Sequence, residues 1–192
     1  GLDLGAVVDG YFGDAAWTAV VGEVPADVRG LVRNTWRALV AGVSAVRVGG
    51  RISDIGAAVE AVAKENGYGV VREYVGHGIG TALHEEPQVP NYGPAGKGER
   101  IREGMTLAIE PMFNLGTARV SLASDGWTVR TADGKPSAHF EHTVVATAAG
   151  PVVLGFGRYS ADGAVTGAPD EKDYPSPAAP GAETAAPGEA RV

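Results

Sequence analysis

The sequence predicts an α+β domain, an antiparallel sheet covered by helices, and three observations carry that prediction. Short apolar runs are punctuated by Asp-Gly signals at Asp9-Gly10, Asp125-Gly126 and Asp133-Gly134, the marks of tight turns between antiparallel strands. Two amphipathic helical stretches stand in series near the start, as a layer laid over a sheet would. With 192 residues, 44% of them hydrophobic, the chain can bury one sizeable core as a single domain.

The first element is a hairpin over Leu2 to Ala15, LDLGAVVDGYFGDA. With Asp9-Gly10 as a type I′ loop, Val8 faces Tyr11, Val7 faces Phe12, Ala6 faces Gly13, Gly5 faces Asp14 and Asp3 faces Ala16. Period-two alternation then puts Asp3, Gly5 and Asp14 on one face, the two carboxylates on a diagonal across the space left by the glycine. Both can reach one cation or two adjacent ones; without a cation they repel, and one takes up a proton. Taken by themselves, Asp3 reads first as a solvated strand residue and Asp14 as a turn residue, a reading that only the rest of the chain overturns.

The return strand runs on from Ala15 to Val21 and Gly22 ends it. Pro25 opens a helix whose apolar positions Val32, Trp36, Leu39, Val40, Val43 and Val46 recur at steps of three and four, stopped by Gly49-Gly50. Ser53 is the expected N-cap of a second helix carrying Ile55, Val59, Val62 and Ala63 on one face, with Gly67 as its stop. From Tyr68 to Tyr92 the chain reads as a short strand followed by a long irregular loop. Here His77 lies between Gly76 and Gly78, and glycines beside a polar residue let backbone approach a ligand closely; His84 follows before Glu85-Glu86-Pro87. Each histidine taken alone also reads as a hydrogen-bonded structural residue.

Met105 to Phe113, MTLAIEPMF, reads as one strand with a single acid, Glu110. If it faces the core it must be paired, protonated or metal-bound; beside Pro111 it also suits a solvated edge position. Val120 to Thr131 and Ala138 to Thr147 read as further strands, the latter with His139 and Glu141 on one face and Phe140 and His142 on the other. Val152 to Phe156 is a last short strand. From Ala161 the composition shifts to Ala, Pro and Gly with scattered acids. The expected organisation is a domain over 1–160 and a disordered acidic tail over 161–192.

Several function classes are disfavoured by composition. There is no cysteine, so disulfides and thiolate-bound metals are excluded, and a reducing compartment fits. No apolar run approaches the roughly 18 residues of a membrane helix, and a net charge of −7 without a Lys/Arg cluster gives no nucleic-acid footprint. The start at Gly1, directly in a strand pattern, reads as a fragment or processed product whose N-terminal part is missing. What remains is a constellation: Asp3, Asp14, His77, Glu110 and Glu141. Four carboxylates and one imidazole balance two divalent cations and suit Mn²⁺, Fe²⁺, Co²⁺ or Zn²⁺. Paired metals of this kind activate water and polarise a carbonyl for hydrolysis; no HExxH helix is present, so this is not a zincin.

In their order along the chain, LDLGAVVDGYFGD, YVGHGIG, LHEEPQVPNY, MTLAIEP, SDGWTV and SAHFEHT resemble the bacterial type I methionine aminopeptidases, metallopeptidases of pita-bread fold, from Gly1 to about Leu154. The resemblance implies that Asp3 binds one metal, that His77 and Glu110 bind the other, and that Asp14 and Glu141 bridge both. It implies that His84 contacts the scissile carbonyl, that Trp127 and Leu83 border the methionine side chain, and that Glu110 also moves protons. The implied reaction removes the initiator methionine from nascent polypeptides in the cytoplasm, the ribosome being a candidate meeting place, by a monomer without nucleic-acid or membrane partners. Glu110 and Glu141 lie too close in sequence for the helical insert of the type II enzymes.

Three departures from the family stand out. A preceding half of the pseudo-symmetric fold, with another catalytic histidine, is absent. His139 stands where Gln is expected, and Leu83 replaces a larger pocket residue. The rival readings are a non-catalytic pita-bread binding protein, an inactive fragment, and a proline-specific aminopeptidase of the same fold.

Overall fold

The structure, a computed structural model, describes residues 1–154. The expected domain end at residue 160 and the acidic tail lie outside the described residues. Strands β1 (Leu2–Val8) and β2 (Tyr11–Trp17) form the expected hairpin in the expected register, Gly5 opposite Asp14 and Asp3 opposite Ala16. Asp9 and Gly10 sit at φ 49° and 82°, the two positive values that a type I′ loop requires. The return strand stops at Trp17 rather than Val21, because Thr18 turns away to bond another segment. Val21, 88% exposed, has no surface to cover.

Helix α1 (Ala26–Ser44) starts just after Pro25, whose fixed φ suits a helix entry. Its stripe of Val32, Trp36, Leu39 and Val43 is buried, as the periodicity predicts, and Val40 is half-buried. The helix ends ahead of Gly49-Gly50, where the Ser44 hydroxyl bonds the Val40 carbonyl at 2.7 Å; Val46 is buried just beyond. Helix α2 (Ile52–Asn66) begins one residue before Ser53, so the expected N-cap is wrong. Asp54 takes the capping role instead, its Oδ2 accepting the Arg51 backbone N–H at 2.9 Å. Ser53 ties the helix to Lys97, donating to its carbonyl and accepting its N–H. Gly67 ends α2 in the left-handed region, as expected.

The segment after α2 departs from the expected strand and irregular loop. It holds β3 (Gly69–Val70), β4 (Gly76–Gly78) and β5 (Glu85–Val89). Two other expected strands are each broken in two. Met105–Phe113 divides into β6 (Thr106–Ile109) and β7 (Met112–Asn114), while β8 (Val120–Leu122) and β9 (Val129–Thr131) make a separate hairpin. Ala138–Thr147 divides into β10 (Ser137–His139) and β11 (His142–Thr147), followed by β12 (Gly150–Val153).

The breaks have one cause. Strands β12-β11-β6-β4-β5 form a five-stranded antiparallel sheet, and β10-β7-β3 a three-stranded one. The chain switches between these sheets twice, side by side, at Glu110-Pro111 and at Phe140-Glu141. Pro111 lacks the N–H that a continuing ladder needs, but its carbonyl accepts the Phe140 N–H at 3.3 Å and ties the two switch points together. An acid therefore stands at each crossing. Below them Phe140 and His142 both pack on Trp36, at 5.6 and 5.4 Å between ring centroids, so the expected sharing of a face holds across the break. Trp17 completes this cluster at 5.0 Å from Trp36. No helix among the described residues is long and apolar enough to cross a membrane.

Candidate metal centre

The hairpin is docked where the sheets meet. Glu141 donates its N–H to the Ala16 carbonyl at 2.9 Å, and Phe12 donates to the Gly80 carbonyl at 2.8 Å. Asp14 is clasped by Thr143, whose Oγ1 accepts the Asp14 N–H at 3.0 Å and donates to its carbonyl at 2.8 Å. One ligand atom each from Asp14, His77 and Glu141 lies within 4.8 Å of the others. His77 comes from the middle of β4, opposite Ala108 of β6. Its Nδ1 is 2.9 Å from the Gly78 carbonyl and so carries the proton, leaving the Nε2 lone pair facing Glu110 Oε1 at 3.6 Å. Glu110 has its backbone carbonyl held by the Asn91 amide at 2.9 Å. Asp3, by contrast, is exposed and opens with Glu110 and His139 onto a cavity of about 300 Å³.

Gly76 and Gly78 have a packing reason within the sheet. A Cβ on either would stand 2.3 Å from a neighbouring strand's carbonyl oxygen, Ala108 for Gly76 and Glu86 for Gly78. They let β4 sit close between its neighbours, and that is how His77 reaches the acids.

Without cations the cluster favours protonated over charged carboxyls. Burial, reinforced by Asp14 and Asp3, pushes the Glu110 carboxyl up to about 8. Burial, reinforced by Glu110, Asp14 and Asp3, pushes Glu141 up to about 9. Asp14 is raised by burial and then by Asp3, while burial lowers His77 and keeps the ring neutral. Glu141 is 2% exposed, and its Oε1 has no hydrogen-bond partner among the described residues. An orphaned buried carboxylate oxygen, a neutral imidazole lone pair and mutually repelling acids are the donor set that a hard or borderline divalent cation satisfies. The residues present fit such a metal.

Comparison with known proteins agrees. Residues 1–148 match the model of metallopeptidase family M24. The chain belongs to metallopeptidase family M24. It is 48% identical over 153 residues to methionine aminopeptidase 1 of Bacillus subtilis, covering 80% of this chain and 62% of that protein. Methionine aminopeptidase from Thermotoga maritima superposes with a TM-score of 0.78 at 46% identity, covering 79% of this chain and 61% of the other. The prolidase from Pyrococcus furiosus follows at a TM-score of 0.63 and 26% identity, covering 81% and 41%. The chain thus spans about three fifths of the length of the methionine aminopeptidases it matches. Over the described residues it has the pita-bread fold of M24, an α+β arrangement as expected.

The other expected site residues of this M24 domain are placed unevenly. The exposed His84 ring lies edge-on against His77, 4.4 Å between centroids, and both line a cavity of about 350 Å³. Leu83 is half-buried and its Cδ1 covers Gly5, at 3.6 Å from where a Cβ would be. Trp127 belongs to the β8–β9 hairpin, whose Val120, Val129 and Arg130 line the cavity shared by Asp3, Glu110 and His139. It is 86% exposed near the tip of the β8–β9 hairpin, where its backbone N–H bonds Asp125.

Reading the sequence for acids and imidazoles missed the positioning groups, of which Thr143 is the chief. It sits two residues after Glu141, and a hydroxyl inside a buried strand is the signal that would have found it. Thr143→Val is expected to cost about 1 kcal/mol of stability and to weaken metal binding about 10-fold, measured by urea unfolding and calorimetric titration.

Proposed function

We propose that the chain is the metal-binding part of a methionine aminopeptidase that removes the first residue of newly made polypeptides. The observation that carries this reading is the convergence of Asp14, His77 and Glu141 beside Glu110, in a chain nearly half identical to methionine aminopeptidases. Asp3, Asp14, His77, Glu110 and Glu141 would hold two divalent cations drawn from Mn²⁺, Fe²⁺, Co²⁺ and Zn²⁺, Asp14 and Glu141 contributing to both. When bound, the cations polarise the scissile carbonyl and acidify water. Glu110 takes a proton from the water that attacks the carbonyl carbon and delivers it to the amine that leaves as the C–N bond breaks. His84, open to solvent beside His77, donates to the carbonyl oxygen, and Leu83 borders the methionine side chain. Substrates are nascent polypeptide N-termini met in the cytoplasm, by a monomer; a cysteine-free chain fits a reducing compartment.

The test is an assay of the full 192-residue chain with Mn²⁺ or Co²⁺ on Met-Gly-type and Xaa-Pro peptides. Release of Met from the former is expected. Preference for Xaa-Pro would favour the prolidase-like reading that the Pyrococcus furiosus neighbour raises, and no hydrolysis with any divalent metal would sink the enzyme.

A further inference from the structure

His139 is the one imidazole beside the carboxylates that the five-donor reading leaves without a task. Its backbone is fixed from both sides by Thr18, whose Oγ1 donates to the His139 carbonyl at 2.7 Å and accepts its N–H at 3.0 Å. The ring is thereby aimed at Glu110. Its Nε2 is a buried atom with no hydrogen-bond partner among the described residues, and it stands 3.7 Å from Glu110 Oε2. On the other oxygen of the same carboxylate, His77 Nε2 stands 3.6 Å from Oε1.

Both gaps are too long for a hydrogen bond. Two donors held roughly 2.0–2.2 Å from one ion, with an opening angle of about 110–120°, are themselves roughly 3.3–3.8 Å apart. The two gaps therefore share the spacing of donors around a cation, and they occur on the two oxygens of one carboxylate. Beyond His139 the cavity shared with Asp3 and Glu110 leaves room for small ligands.

We propose that His139 is a sixth protein donor of the metal centre, its Nε2 sharing a cation with the Glu110 oxygen that His77 does not face. The inference rests on the metal-centre reading above. A second imidazole makes the donor set richer in nitrogen and shifts its preference toward later divalent metals, Zn²⁺ over Mn²⁺.

The test is long-range proton–nitrogen NMR on the full chain labelled with ¹⁵N-histidine, which resolves its four histidines one by one, before and after saturation with Zn²⁺. His77→Gln and His139→Gln supply the assignments. The Nε2 resonances of both His77 and His139 are expected to move to the metal-bound range while His142 stays put. If His77 moves and His139 does not, this inference is overturned and the metal centre stands; if neither moves, both fall. In parallel, His139→Gln is expected to lower Zn²⁺ affinity about 10-fold or more and Mn²⁺ affinity less. Zn²⁺ affinity unchanged by that substitution would also overturn the inference.

Discussion

Without metal, the chain is expected to lose stability steadily as pH rises from 6.5 to 9, and a divalent cation is expected to reverse that loss. Glu110 and Glu141 keep their protons in the folded chain up to about 8 and about 9, against 4.5 when unfolded. Across that window the folded state binds more protons than the unfolded state, so stability falls with pH. The slope approaches about 1.4 kcal/mol per pH unit for each such group. The histidines act with the opposite sign and at lower pH. Burial depresses His77, His139 and, to about 4, His142, so their contribution is lost only as pH falls below 6.5. Above 6.5 the two glutamates stand out. Urea unfolding in chelator at pH 6.5, 7.5 and 8.5 reads the slope directly, and Glu141→Gln, neutral at every pH, is expected to flatten it. Added Mn²⁺ should stabilise more at pH 8 than at pH 6.5, because binding displaces protons. A metal-free stability that climbs through this window would mean that the acids are not packed together as described.

How much of this could be read in advance differs from element to element. The register of the hairpin was legible, because Asp-Gly fixes the loop and period two then fixes the partners of Asp3 and Asp14, whereas the end of its return strand at Trp17 was not. Helices α1 and α2 were legible in their buried faces and less so at their ends, where Asp54 rather than Ser53 satisfied the backbone. The sheet switches were not legible. MTLAIEPMF has strand propensity throughout, and only pairing with two different sheets decides that it breaks at Glu110-Pro111. The break matters because it turns Glu110 from an edge residue into a donor beside Glu141. The glycines around His77 were legible as important but not in their reason, which is the closeness of adjacent backbones. The choice among acids came from family resemblance, since each taken singly had an ordinary structural reading. Trp127 came from that resemblance alone: its exposed side chain gives no packing signal, and only the fold shows that its hairpin borders the donor cavity.

Asp14→Asn is expected to remove metal binding, and with it the proposed methionine release, while leaving the fold nearly intact, and the geometry explains why the two effects separate. What holds Asp14 in place is mostly its backbone, clasped by Thr143 and paired across the hairpin with Gly5. Its Oδ1 accepts the Ala15 N–H at 3.0 Å, a bond that an Asn carbonyl oxygen reproduces. The side chain is half-buried, so an amide there meets no new desolvation of consequence. Stability in chelator should even rise slightly, because a carboxylate that raises both Glu110 and Glu141 by repulsion is gone. The metal loses more than one oxygen. Of the three donors that converge within 4.8 Å, Asp14 is the one joined to the hairpin, so its charge ties Asp3's strand to the His77 and Glu141 side. Metal affinity should fall by more than about 100-fold, read by calorimetric titration and metal content after gel filtration. Methionine release should fall to background, while the urea midpoint in chelator stays at or above that of the wild type. A variant that keeps wild-type metal content would show that Asp14 is not a ligand; one that unfolds would show that its charge serves the fold.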